Sequence, residues 1–154
     1  YIRPVGADDI AREVRFIASM SAQTRYERLF SHRLIGPAEL RQLVRFDVRR
    51  EIALMAAVRD GNEEQIVGVA RLKKSADGLQ CEFAMVVGDA WHRQGIGERL
   101  LARLLAVASL AGIRQVTGVT MATNVSMKAL ARKVGFSVQP DPQDATLSLL
   151  TITL

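Results

Sequence analysis

The sequence predicts an α+β fold, a mixed and mostly antiparallel sheet flanked by helices. Three observations carry the prediction. The front third spaces its apolar residues at helical intervals; from Glu51 the period changes to apolar runs of strand length; from Gly95 helices and strands alternate. At 154 residues, 49% of them hydrophobic, residues 1–154 read as a single domain that buries a core without disulfides or a structural metal.

Each element has its own signal. Tyr1–Arg3 reads as a short strand ended by Pro4, and Asp8–Met20 as a helix with Ile10, Val14 and Ile17 on one face. Gln23–Leu34 continues with Tyr26, Leu29 and Phe30; Ile35-Gly36-Pro37 breaks it, and Pro37 suits the first turn of a further helix ending near Arg45. Ile52–Val58, Ile66–Leu72 and Leu79–Val87 are strand-length runs parted by Asp60-Gly61-Asn62 and Ser75-Ala76-Asp77-Gly78, an antiparallel meander. A helix Gly95–Ala111 closed by Gly112 leads to a strand Gln115–Met121, and a second helix begins near Asn124 and stops at Gly135. Phe136–Val138 and Ala145–Leu154 form a last strand pair around Pro140-Asp141-Pro142.

Composition excludes several function classes. No uninterrupted apolar stretch is long enough to cross a bilayer, and no signal peptide is visible. The chain starts at Tyr1, so an upstream segment or domain is expected. Cys81 is the single cysteine and His32 and His92 lie far apart, which leaves no disulfide and no metal-ligand spacing; the expected setting is a reducing cytoplasm. The net charge of +5 favours anionic partners, but the charge is scattered and aromatics are few at 5%, against a nucleic-acid binder.

The stretch Val86 to Ile113 is the informative one. An apolar strand ends in a loop holding Gly95 and Gly97 and turns into a leucine-rich helix, aiming free backbone N–H groups at one point that suits a phosphate. A nucleotide P-loop needs Lys-Ser/Thr after the second glycine, where Glu98-Arg99 stand. A dinucleotide fingerprint needs a third glycine, where Leu100 stands, and an acidic residue about twenty positions on. A pyrophosphate cradle without metal remains, beside the plain alternative of a tight turn with glycines for close packing.

Gly95-Ile96-Gly97 after Val86-Val87 and Trp91, followed by Leu100-Leu101, Asn124, Met127, Leu130 and Lys133-Val134-Gly135-Phe136, resembles the acyl-CoA-binding core of the GCN5-related N-acetyltransferase (GNAT) superfamily. The resemblance spans Ile66 to Val138. It implies the GNAT, or acyl-CoA N-acyltransferase, fold, with acetyl-CoA as co-substrate and no metal. The implied binding residues are Met85, Val86, Val87, Arg93, Gln94, Gly95, Ile96, Gly97, Asn124 and Met127. Ser21 to Phe30, Glu39-Leu40, Phe46-Asp47 and Cys81-Glu82-Phe83-Ala84 are similar to the acetyltransferase domain of bacterial protein-lysine acetyltransferases, where this domain often follows an acyl-CoA-synthetase-like region. That narrower likeness implies a protein acceptor such as an acyl-CoA synthetase and makes Glu82 the general base.

The chemistry is consistent with that role. A lysine with pKa near ~10.4 is protonated at neutral pH, so amine attack on a thioester needs a base. Glu82 lies in an otherwise apolar run, where burial would raise its proton affinity toward a useful value; the competing role is an ion pair with a neighbouring-strand cation such as Arg71. A backbone N–H near Met85–Val87, freed where the strand splays from its neighbour, is the implied oxyanion donor. For thiolate departure, many relatives carry a tyrosine where this chain has Ala131, which leaves water or Ser126. Arg99, Lys128, Arg132 and Lys133 are cations within reach of an anionic ligand or, equally, a solvated helix face, and Asn124 is also a fitting N-cap. Cys81 has no histidine placed to activate it and reads as a buried apolar residue.

Overall fold

The computed structural model describes residues 1–21 and 51–154. The helices expected at Gln23–Leu34 and Pro37–Arg45, with Tyr26 and Phe30, lie outside the described residues. The described elements are β1 (Ile2–Pro4), α1 (Ile10–Ala18), β2 (Glu51–Asp60), β3 (Glu63–Lys74), β4 (Gln80–Val87), α2 (Ile96–Leu110), β5 (Gln115–Met121), α3 (Val125–Val134), β6 (Ser137–Asp141) and β7 (Asp144–Thr153).

The described strands form one sheet in the order β1-β2-β3-β4-β5-β7-β6. The meander is as expected, with β2, β3 and β4 paired antiparallel, and the sheet is mixed because β4 runs parallel to β5. A 3-10 turn at Ala7–Asp9 takes the first turn of the expected Asp8–Met20 helix, so α1 begins at Ile10. Around Pro140 the chain stays in β6 as far as Asp141; β6 is an edge strand, where a proline's missing N–H breaks no ladder.

Alternation along the strands builds a core on each face. Leu54, Leu72, Cys81, Phe83 and Val116 pack against Leu100, Leu101 and Leu104 of α2 on one face. Ala53, Met55, Ile66 and Val69 pack against Phe16 and Ile17 of α1 on the other. The α1 face also carries a charge that helical spacing does not announce. Glu13, 2% exposed, receives Arg71 of β3 at 2.5 Å. No helix among the described residues is long and apolar enough to cross a membrane.

Candidate active site

The single parallel pairing positions the site. β4 and β5 are in register over Gln80↔Gln115, Cys81↔Val116 and Glu82↔Thr117, and the pairing ends there, although β4 continues to Val87 and β5 to Met121. At the first position past the paired segment the Phe83 ring covers Gly118, where a Cβ would come within 2.3 Å of it. On its other edge β4 stays paired to β3 as far as Gly68↔Val87. The Gly88 N–H donates to the Val67 carbonyl at 2.8 Å, so alternation along the strand turns the Met85 and Val87 amides toward the opening beside β5.

Into that opening points the start of α2. Arg93 (φ 62) and Gly95 (φ 78) are left-handed with Gln94 between them at negative φ, an alternation that gathers successive N–H groups into a concave, anion-attracting cluster. At Arg93 this conformation costs strain; at Gly95 it is what glycine permits. No side chain caps the helix, so the first-turn amides of Ile96, Gly97 and Glu98 have no acceptor from a cap. The His92 ring braces the loop, its Nε2 2.7 Å from the Val87 carbonyl oxygen. Gly97 also keeps space free, since a Cβ there would meet Met85 Cε and Leu130 Cδ2 at 3.1 Å.

The result is a cavity of about 910 Å³ that passes through the plane of the sheet. Phe83, Met85, Val87, Gly95–Glu98, Asn124, Met127 and Leu130 line it on the α2–α3 side, while Glu82, Ala84, Val86 and Ser21 line it on the α1 side. Of the residues read from the sequence, Glu82, Met85, Val86, Val87, Arg93, Gly95, Ile96, Gly97, Asn124 and Met127 all meet here. Gln94 does not: its side-chain nitrogen turns back to the Ala90 carbonyl at 3.3 Å, and it is absent from the cavity wall. Of the cations considered, Arg93 and Lys133 line the wall, and Lys133 is bonded to Glu98 at 2.9 Å; Arg99, Lys128 and Arg132 do not line it.

Two expectations for Glu82 are corrected. It is exposed, because β4 buries Cys81 and Phe83 on the opposite face and opens to the cavity on this one, so the burial argued from its apolar neighbours is absent. Nor does Arg71 pair with it: Arg71 is bound by Glu13, and the residues across the ladder from Glu82 are Lys73 and Thr117. The Asn124 Oδ1 accepts from the Met127 amide at 3.1 Å, the cap expected of it, and its Nδ2 has no partner among the described residues. Ala131 is fully buried in the core. The sequence reading omitted Thr120, Thr123 and Val119 of the far wall, which become part of the site through the divergence of two strands distant in the chain. No group of His, Cys, Asp or Glu that could hold a metal occurs among the described residues.

The family model described as an acetyltransferase (GNAT) domain matches residues 1–137 of the chain. The chain is 34% identical over 146 residues to Acetyltransferase PA5475 of Pseudomonas aeruginosa, covering 94% of its own length and 78% of that protein's. To Acetyltransferase Pat of Mycolicibacterium smegmatis it is 26% identical over 136 residues, 88% of this chain but 40% of that protein's length. In fold it is similar to the GNAT domain of S. lividans PAT (TM-score 0.82, 24% identity, 99% of this chain and 89% of that one). The same holds for RimL, a ribosomal L7/L12 alpha-N-protein acetyltransferase in complex with coenzyme A (TM-score 0.77, 11% identity, 99% and 93%).

Proposed function

Because the chain belongs to the GNAT acetyltransferase family, we propose that it passes the acetyl group of acetyl-CoA directly to an amine, with a protein lysine as acceptor. The observation that carries this reading is the cavity through the sheet. It presents uncapped helix amides on one face and a carboxylate, Glu82, on the other. Two reactants can therefore meet at the divergence of β4 and β5 from opposite sides.

The residues fit the co-substrate. The Arg93–Glu98 turn offers backbone amides and one guanidinium to a pyrophosphate. The Met85 and Val87 amide edge suits an extended arm that pairs as a strand would, and Asn124, whose Nδ2 is not used by the cap, lines the same cavity from the start of α3. When bound, acetyl-CoA supplies an activated thioester carbonyl. A β4 amide at Met85 or Val87 hydrogen-bonds the oxygen on which charge develops. Glu82 takes the proton from the attacking amine, directly or through one water, and returns it to solvent across its exposed side. Direct attack is favoured over a covalent enzyme intermediate because Cys81 is buried and does not line the cavity. The resemblance to protein-lysine acetyltransferases supports an acyl-CoA synthetase as the first acceptor to try, and the free, buried Cys81 supports a cytoplasmic setting.

The test follows free-thiol release from acetyl-CoA with lysine-bearing proteins and small amines, for the wild type and Glu82→Gln. We expect release with a protein acceptor, a fall of roughly 10²–10⁴-fold in kcat for the variant, and unchanged affinity for coenzyme A. Release with small amines alone would replace the protein acceptor by a small-molecule one. Binding of coenzyme A with no release for any acceptor would make the domain an acyl-CoA-binding regulatory module.

A further inference from the structure

Four polar side chains are buried among the described residues: Asp9, Glu13, Thr120 and Ser148. Asp9 and Glu13 are each held by an arginine. Thr120, 4% exposed, has no hydrogen-bond partner among the described residues, yet no fully enclosed side-chain oxygen there lacks one. Its hydroxyl therefore reaches the cavity that Thr120 lines. An apolar isostere would fill the same volume, so the hydroxyl is not explained by packing.

Its place in the site says what it would meet. Glu82↔Thr117 is the last paired position; Met85 and Thr120 each lie three residues further, across the opening from one another. An odd step reverses the face, so both are on the α2–α3 side, opposite Glu82. The co-substrate enters from that side, which puts the sulfur beside Thr120 and the amine beside Glu82. Ser148 stands directly opposite Thr120 on β7 and is also buried. The other hydroxyls of the cavity wall belong to Ser21, Thr123 and Ser126, all exposed residues, and Ala131 has none.

We propose that Thr120 Oγ1 donates a hydrogen bond to the coenzyme sulfur as the C–S bond breaks. The inference rests on the acetyl-transfer reading above. The amine lone pair forms the C–N bond, Glu82 takes the proton from nitrogen, and the C–S electron pair leaves with sulfur as a thiolate. A threonine hydroxyl is far too weak an acid to surrender its proton to a thiolate, so it shares it in a hydrogen bond; solvent protonates the thiolate after release. At a residue as buried as Thr120 such a bond to a full charge counts for more than it would in water.

The test compares equilibrium binding of coenzyme A and desulfo-coenzyme A, at a pH high enough to ionise the coenzyme's alkyl thiol, a weaker acid than cysteine at roughly 8.5, for wild type, Thr120→Val and Thr120→Ser. Wild type and Thr120→Ser should prefer coenzyme A by about tenfold, the size of a hydrogen bond to a charged group. Thr120→Val should bind both forms alike, at the wild-type affinity for desulfo-coenzyme A, and should lose roughly 10–100-fold in kcat with KM for acetyl-CoA held. Equal weakening of both ligands in Thr120→Val, or an undiminished preference, would overturn the role given to Thr120 while leaving acetyl transfer standing. If no variant binds either ligand, the acyl-CoA reading fails and this inference with it.

Discussion

Cys81 and Glu82 are neighbours on β4 with opposite fates, since the pleat sends one into the α2 core and the other to the cavity mouth. Burial pushes the Cys81 thiol up from its ordinary range, and thiolates, not thiols, are the reactive form. An aromatic disulfide reagent should therefore register no protein thiol at neutral pH in the native state and one equivalent per chain after denaturation. A rapid native reaction would contradict the burial described for Cys81. The same silence makes thiol release a clean readout for the acetyl-transfer assay. Glu82 was legible as a candidate through the resemblance of Cys81-Glu82-Phe83-Ala84 to protein-lysine acetyltransferases, with its place as the one acid in the run from Leu79 to Val87 in support. Its exposure was not legible. An apolar run tells that a strand is covered, but which face opens depends on where β5 parts from β4.

At the scale of elements, punctuation explains what the sequence reveals. β5 was readable to the residue and α2 to within one residue at each end, because Gly95, Gly112 and the polar steps after Met121 interrupt strong periodicity. The partner of Arg71 was not readable: Glu13 lies 58 positions away and on a helix face that otherwise reads as apolar. Nor was Gln94 against the Ala90 carbonyl, a contact set by the left-handed Arg93 and Gly95 that flank it. The start of α3 joins stability to binding in one side chain, Asn124, and the two can be separated. Asn124→Ala removes the cap and should lower stability by about 1 kcal/mol. Asn124→Ser keeps a capping oxygen and should melt close to wild type, yet lose the Nδ2 donor and raise KM for acetyl-CoA several-fold. Wild-type KM in the serine variant, with melting lowered only in the alanine variant, would assign Asn124 to capping alone.

For the molecule as a whole, the edge of the sheet beyond α1 depends on one cation. Arg3 of β1 reaches Asp9 at 2.7 Å and Glu64 of β3 at 2.5 Å, while Arg12 adds a bond to Asp9 at 2.9 Å. One guanidinium thus joins the first strand, the turn before α1 and the third strand. The hydrogen bond from Arg3 holds Asp9 down to about 2, and the same guanidinium holds Glu64 down to about 2. A carboxylate with a depressed folded pKa contributes stability that is complete above its unfolded pKa and is lost as pH falls through the folded one. For Asp9, 2% exposed, the drop from 3.8 to about 2 is worth on the order of 2 kcal/mol at neutral pH. Asp9→Asn should therefore melt well below wild type at neutral pH. The gap should shrink as pH falls from about 4 toward 2 and close once the wild-type carboxyl is protonated. Thermal melts of the two proteins across that range decide the matter: a gap that stays constant would mean that shape at Asp9, and not its charge, secures this edge. Because none of these residues lines the cavity, affinity for coenzyme A at neutral pH should survive Asp9→Asn wherever the variant remains folded.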